Sequence, residues 1–182
     1  GRIQAVIADP INLDLIFAGT NTSGIFKSTI ANGEVTWNNV TENLGYGLLP
    51  ISKIMYAAKD VIYNPNQNII YASIGFRNGG YNPLTKPFLK STDKGSSWSV
   101  VGPVLIGGEG VYSFACNPDD PNHIVYGVEG KLYESKDGLQ TSYLVQGSDF
   151  SPDDITDIEF SNSSNIYVAT ISKDDNTEAK IY

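Results

Sequence analysis

Hydrophobic and polar residues alternate in short stretches that recur along the chain. Residues 3–10 (IQAVIADP), 58–65 (AKDVIYNP), 111–118 (VYSFACNP) and 155–162 (ITDIEFSN) share one column pattern. Val6, Val61, Phe114 and Ile158 occupy one column, and Ala8, Tyr63, Cys116 and Phe160 the next but one. This period of two predicts a strand with one face buried. Asp9-Pro10, Asn64-Pro65 and Asn117-Pro118 then break the strand and start a turn. A second strand is predicted each time, over residues 15–20, 69–74, 124–129 and 166–171. Its small residue recurs as Ala18, Ala72, Gly127 and Ala169.

A third repeated unit lies downstream. Gly24-Ile25-Phe26-Lys27-Ser28-Thr29 aligns with Pro87-Phe88-Leu89-Lys90-Ser91-Thr92 and with Lys131-Leu132-Tyr133-Glu134-Ser135-Lys136. In its clearest copy it runs on as Ser91-Thr92-Asp93-Lys94-Gly95-Ser96-Ser97-Trp98, an S-x-D-x-G-x-x-W pattern. The chemistry is that of a strand–turn–strand. Asp93 can accept backbone N–H bonds inside the turn, Gly95 can take positive φ, and Trp98 can fold over the hairpin. The flanking copies are degenerate. The first keeps Ser28 and has Trp37 downstream, but carries extra residues (Ile30-Ala31-Asn32-Gly33-Glu34) and lacks the Asp. The third keeps Ser135 and Asp137, moves its glycine forward to Gly138, and places Tyr143 near the Trp position.

The pattern resembles the Asp-box, or BNR repeat, of the β-propellers found in sialidases, xyloglucan-degrading glycosidases, sortilin-type receptors and large secreted bacterial surface proteins. The resemblance implies that the box is structural and marks fold rather than chemistry. The repeat itself reads as four antiparallel strands every ~45–55 residues, which is what a propeller blade requires. The predicted fold is therefore all-β, a partial ring of four-stranded blades. The blades are placed at about 1–50, 51–107, 108–150 and, incompletely, 151–182. Ala179-Lys180-Ile181-Tyr182 matches Gly24-Ile25-Phe26 and stops short of another box, so a segment of a longer protein is expected.

Composition narrows the function classes. A formal net charge of −8 argues against nucleic acid as a partner, because phosphate binding needs a basic face. No apolar run approaches ~18 residues, so no segment reads as inserted in a membrane. Cys116 is the only cysteine and shares a strand column with apolar residues, so it reads as a buried core residue. His123 is the only histidine and reads as a turn residue. Only Arg2 and Arg77 are present, too few for the arginine cluster that the sialidase resemblance would require.

Candidate chemistry lies in the loops on the face opposite the box turns, which the resemblance marks as the ligand face. Arg77, Tyr81 and Glu109 are candidate ligand-face residues, the first two in a loop suited to stacking on and hydrogen-bonding a sugar. Asp149, Asp153 and Asp154 with Asp174 and Asp175 form a candidate acidic site. Ca²⁺ would suit such clustered carboxylates, although no other cofactor is implied. The expected function is that of a non-catalytic module of a secreted or cell-surface protein, bacterial as the resemblance implies, acting in adhesion or scaffolding or binding a protein, a carbohydrate or further blades of a longer chain. The alternative is a glycoside hydrolase of the xyloglucanase type, with a carboxylate pair such as Glu109 and Asp153.

Overall fold

The computed structural model describes residues 1–57, 68–75, 85–105, 110–151, 153–172 and 179–182. Its strands form four antiparallel sheets, each built from consecutive strands. The first holds β1 (Ile3–Ala8), β2 (Ile16–Thr20), β3 (Ile25–Ala31) and β4 (Glu34–Asn39). The second holds β5 (Ile51–Tyr56), β6 (Ile70–Ile74), β7 (Phe88–Ser91) and β8 (Ser99–Val101). The third holds β9 (Phe114–Cys116), β10 (Ile124–Val128), β11 (Lys131–Ser135) and β12 (Tyr143–Asp149). The fourth has three strands, β13 (Asp154–Phe160), β14 (Ile166–Ile171) and β15 (Ala179–Ile181). No helix among the described residues is long and apolar enough to cross a membrane.

The first strands of successive sheets lie side by side, β1 against β5, β5 against β9 and β9 against β13. The sheets thus radiate from a shared centre, and the core sits between them rather than within any one. Phe17 and Ile25 of the first sheet pack with Ile54, Ile70 and Trp98 of the second. Tyr71 and Phe88 of the second pack with Phe114 and Tyr126 of the third, with Phe88 edge-on to both rings. Val125 and Leu132 of the third pack with Ile158, Phe160 and Val168 of the fourth. Two glycines of the second strands, Gly19 and Gly127, permit this approach. Phe114 pairs with Tyr126 as Val6 does with Ala18, so the register puts Gly127 at the Gly19 position and not, as the sequence columns suggest, at that of Ala18. A Cβ on Gly19 would sit 2.5 Å from Ile51 Cγ2, and one on Gly127 would sit 2.9 Å from Ile155 Cβ.

Two expectations are corrected. Ile51–Tyr56, not residues 58–65, provides the first strand of the second sheet. β6 pairs with β5 on one side and β7 on the other, so no place beside it is left for a further strand. Residues 58–65, with Val61 and Tyr63, lie outside the described residues. The irregularity after Ile51 also recurs after Ile3 and Ile155, which aligns Ile54 with Val6 and Ile158. The second correction concerns Val6, expected to be buried but 61% exposed. Among the described residues no other sheet lies against its face of the first sheet, and the four sheets do not close a ring.

The turns on one end differ between sheets. In the first, β3 and β4 join through Asn32 (φ 54°) and Gly33 (φ 81°), a two-residue turn with both residues at positive φ. The extra residues thus extend an Asn-Gly hairpin. Ser28 accepts from Ile16 N–H at 2.7 Å and donates to Asp14 C=O at 2.9 Å instead of meeting an aspartate.

Candidate functional site

In the second sheet, Ser91 and Asp93 organise the turn between β7 and β8. Ser91 Oγ donates to Asp93 Oδ1 at 2.8 Å and accepts from Gly95 N–H at 2.8 Å. Asp93 accepts from the N–H groups of Ser96 and Ser97 and from the Ser97 hydroxyl at 2.6 Å. Its carboxyl is held down to about 2, chiefly by the side-chain and backbone hydrogen bonds of Ser97. Lys94 (φ 58°) and Gly95 (φ 69°) reverse the chain. A Cβ on Gly95 would run into the Phe17 ring of the first sheet. Trp98 meets the same ring edge-on at 6.5 Å, so this turn is a blade-to-blade contact. Lys27 of β3 reaches over, donating to Lys94 C=O at 2.9 Å.

The turn between β11 and β12 repeats the arrangement. Ser135 donates to Asp137 at 2.9 Å, and Asp137 accepts from Gln140 N–H, Thr141 N–H and the Thr141 hydroxyl. Its carboxyl is likewise held down to about 2, chiefly by Thr141. Gly138 (φ 70°) precedes Leu139 (φ 71°), and Leu139 N–H donates to Ser135 Oγ as Gly95 N–H does to Ser91. Leu139 therefore stands where the second turn has glycine. Trp37 of the first sheet and Tyr143 of the third are exposed and do not repeat the packing of Trp98.

A second polar joint lies on the same end. Asp9 is buried and accepts from Ile11 N–H, Asn12 N–H and the Tyr56 hydroxyl of the next sheet at 2.8 Å, with Lys94 at 3.3 Å. Burial acts to raise its carboxyl, but the Asn12, Tyr56, Ile11 and Lys94 contacts outweigh it and leave the value lowered. Near the centre, Lys53 of β5 crosses to Asp157 of β13 at 2.8 Å, and Ser113 also donates to Asp157 at 3.0 Å. Burial raises the Asp157 carboxyl, yet Lys53 and the other donors leave it lowered. Cys116 is buried, and burial pushes its thiol up to about 12, far from a reactive thiolate. His123 sits between Asn117 and Glu134, 2.8 Å and 2.7 Å away, as part of this turn network.

The opposite end carries the candidate ligand site. The β2–β3 and β4–β5 connections come together there: Leu49 N–H donates to Thr22 C=O, and Gly24 N–H donates to Leu49 C=O. Between them lies an open cavity of about 490 Å³, bordered by Thr22, Ser23, Glu42 and Tyr46 among others. Asn39 and Thr41 also line it and are held in place. Asn39 donates to Ser23 C=O and accepts from Thr41, whose hydroxyl accepts from Ile25 N–H. Tyr46, between Gly45 and Gly47, presents an exposed ring. Glu42 and Tyr46 were not singled out from sequence. The available signal was an aromatic residue flanked by glycines in a blade-to-blade connection.

The other candidate residues divide. Arg77, Tyr81, Glu109, Asp174 and Asp175 lie outside the described residues. Asp149 accepts from Ser151 N–H, and its carboxyl is lowered mainly by Ser151. Asp153 is buried with Lys180 at 3.6 Å, and Asp154 begins β13. Among the described residues no three His, Cys, Asp or Glu side chains gather in a metal-holding group.

No family model matches the chain, and no curated protein matches it. Solved structures do. The chain is similar over its whole length to 24% of an ancestral GH74 enzyme, at 22% identity and a TM-score of 0.76. YCF48 from Cyanidioschyzon merolae matches 93% of the chain with 48% of its own, at 18% identity and a TM-score of 0.60. An extracellular domain assigned to a one-component system of B. thetaiotaomicron matches 98% of the chain with 22% of its own, at 12% identity and a TM-score of 0.61. The chain thus spans less than half the length of each structure. With four radiating antiparallel sheets and an open ring, it has a β-propeller fold.

Proposed function

We propose that the chain is a non-catalytic propeller module of a secreted, bacterial cell-surface or extracellular protein, which holds a protein or carbohydrate ligand at its loop end. The observation carrying this reading is the open cavity between the β2–β3 and β4–β5 connections, where Tyr46 offers a ring beside the Glu42 carboxylate and two hydroxyl side chains. A ring stacks on the apolar face of a sugar or on a partner's side chain, while the carboxylate and hydroxyls take hydrogen bonds. Loops on a rigid scaffold suit this role. The likeness to an extracellular domain supports the placement. Of the carboxylate pair required by a hydrolase, Asp153 is turned into the fold beside Lys180.

Saturation-transfer NMR with cellotetraose as a neutral probe tests the carbohydrate form of this reading. Transfer to the sugar is expected, reduced at least several-fold by Tyr46→Ala, with no reducing ends released on prolonged incubation. Transfer unchanged in that variant would move the site elsewhere, and steady release of reducing ends would make the chain a hydrolase.

A further inference from the structure

Glu42 and Tyr46 stand at the two ends of one tight turn beside the loop-end cavity. Leu44 N–H donates to Thr41 C=O, Gly45 N–H donates to Glu42 C=O, and Gly45 (φ 73°) then redirects the chain. The backbone carrying both side chains is thereby fixed, while the side chains themselves are uncommitted. Among the described residues no cation pairs with the Glu42 carboxylate, no hydrogen bond reaches the Tyr46 hydroxyl, and no second ring meets that of Tyr46. The other polar side chains of the cavity are largely spent. The Asn39 amide oxygen takes both the N–H and the O–H of Thr41, one amide hydrogen goes to Ser23 C=O, and the Thr22 and Ser23 hydroxyls bond each other at 3.2 Å. Of the described side chains bordering the cavity, Glu42 alone carries a formal charge, and its sign is that of the whole chain, at −8.

On the loop-end reading given above, we propose that the group this cavity takes is an arginine side chain of a protein partner. A neutral sugar offers hydroxyls that need side-chain donors and acceptors in balance, whereas the groups left free here are a carboxylate and a ring. A guanidinium matches that pair. It only donates, its fork fits a carboxylate, and its plane stacks on an aromatic face. An ammonium reaches the carboxylate as a point charge but has no plane to lay on Tyr46. An anionic ligand would be repelled both by Glu42 and by the acidic chain around it. The volume of about 490 Å³ is that of a site for a small molecule rather than for one side chain. Peptide units on either side of the arginine therefore enter with it, and the Thr22–Ser23 hydroxyl pair still has one hydrogen to give them.

The probe is acetyl-Gly-Arg-Gly-amide, titrated by NMR into the whole 182-residue chain. Its citrulline analogue, which keeps the shape and loses the charge, should bind about three- to fivefold more weakly, the scale of one exposed ion pair. The lysine analogue should also bind less well than arginine. Glu42→Gln should weaken the arginine peptide by the same factor, abolish its advantage over citrulline, and leave the circular dichroism spectrum unchanged, since Glu42 is exposed. Tyr46→Ala should weaken both peptides. Added salt should loosen the arginine peptide from the original chain but not from Glu42→Gln. An arginine peptide bound no better than citrulline, or an advantage that survives Glu42→Gln, overturns the proposal. Cellotetraose run in parallel separates the two levels of the argument. Transfer to the sugar that falls in Tyr46→Ala, without any arginine preference, removes the arginine and leaves the loop-end site standing, whereas binding of neither probe removes both.

Discussion

At Asp93 a single carboxylate collects three donors from Ser96 and Ser97 and a fourth from Ser91. Removing it by Asp93→Ala leaves those backbone groups to water, because the turn is exposed. The expected loss is therefore modest, about 1–2 kcal/mol, read as a lower melting temperature. Acid should act in the same way. The folded-state value of about 2 lies below the unfolded one, so the contribution is full above an unfolded value of about 3.9 and is lost as pH falls through 2. Asp93→Asn should flatten that limb of the stability profile. Gly95→Ala is expected to cost more, about 2–4 kcal/mol, because the new Cβ meets the Phe17 ring and sits at positive φ. Leu139 accepts that same backbone strain. Leu139→Gly would relieve ~1 kcal/mol of strain but remove a buried side chain worth ~2–5, so it too should destabilise.

Among the elements, the polar joints tie one sheet to the next at defined points. Tyr56→Phe deprives buried Asp9 of a hydroxyl donor that crosses from the second sheet to the first. A loss of about 1–3 kcal/mol is expected, with hydrogen exchange accelerating first in β1 and β5. Because the folded Asp9 value is lowered, its contribution should be lost as pH falls through that lowered value. Lys53→Met should loosen β13 rather than β1, since Lys53 reaches Asp157 on the fourth sheet. Much of the second and third strands could be read from sequence, because their apolar columns and the S-x-D-x-G turn are local signals. The first strand of the second sheet could not. Both Ile51–Tyr56 and residues 58–65 alternate, and Asn64-Pro65 imitates the marker that follows β1 and β9. Only pairing with β6 separates them. Asn32-Gly33 is a hairpin signal in the sequence, but Ser28 and Trp37 on either side of it also fit a degenerate box, and only the positive φ of both residues separates the two.

Across the whole molecule, position in the arc decides what the same side chain does. Trp98 and Trp37 hold equivalent places in their repeats, yet only Trp98 is enclosed. Trp98→Ala should therefore cost about 3–5 kcal/mol, while Trp37→Ala should change stability by less than ~1. Denaturation curves of the two variants compare them directly. Equal losses would mean that the face of the first sheet carrying Trp37 is covered as well. The loop-end cavity follows the same logic. Glu42 and Tyr46 lie in one connection and Thr22 and Ser23 in another, and the pairing of Leu49 with Thr22 and Gly24 brings them together.

The sequence by itself determined that the chain is all-β, that its strands come in repeated sets of four, and that a serine, an aspartate and positive-φ residues make its best-formed turns. Those properties depend on alternation and on contacts a few residues apart, so they are written locally. Tertiary structure alone decided which of two alternating stretches joins β6, which faces are buried and which residues border the cavity. A strand's two faces carry similar apolar columns here. Whether Val6 or Ile54 is shielded depends on a neighbouring sheet, tens of residues away or absent, and period two holds no information about that neighbour.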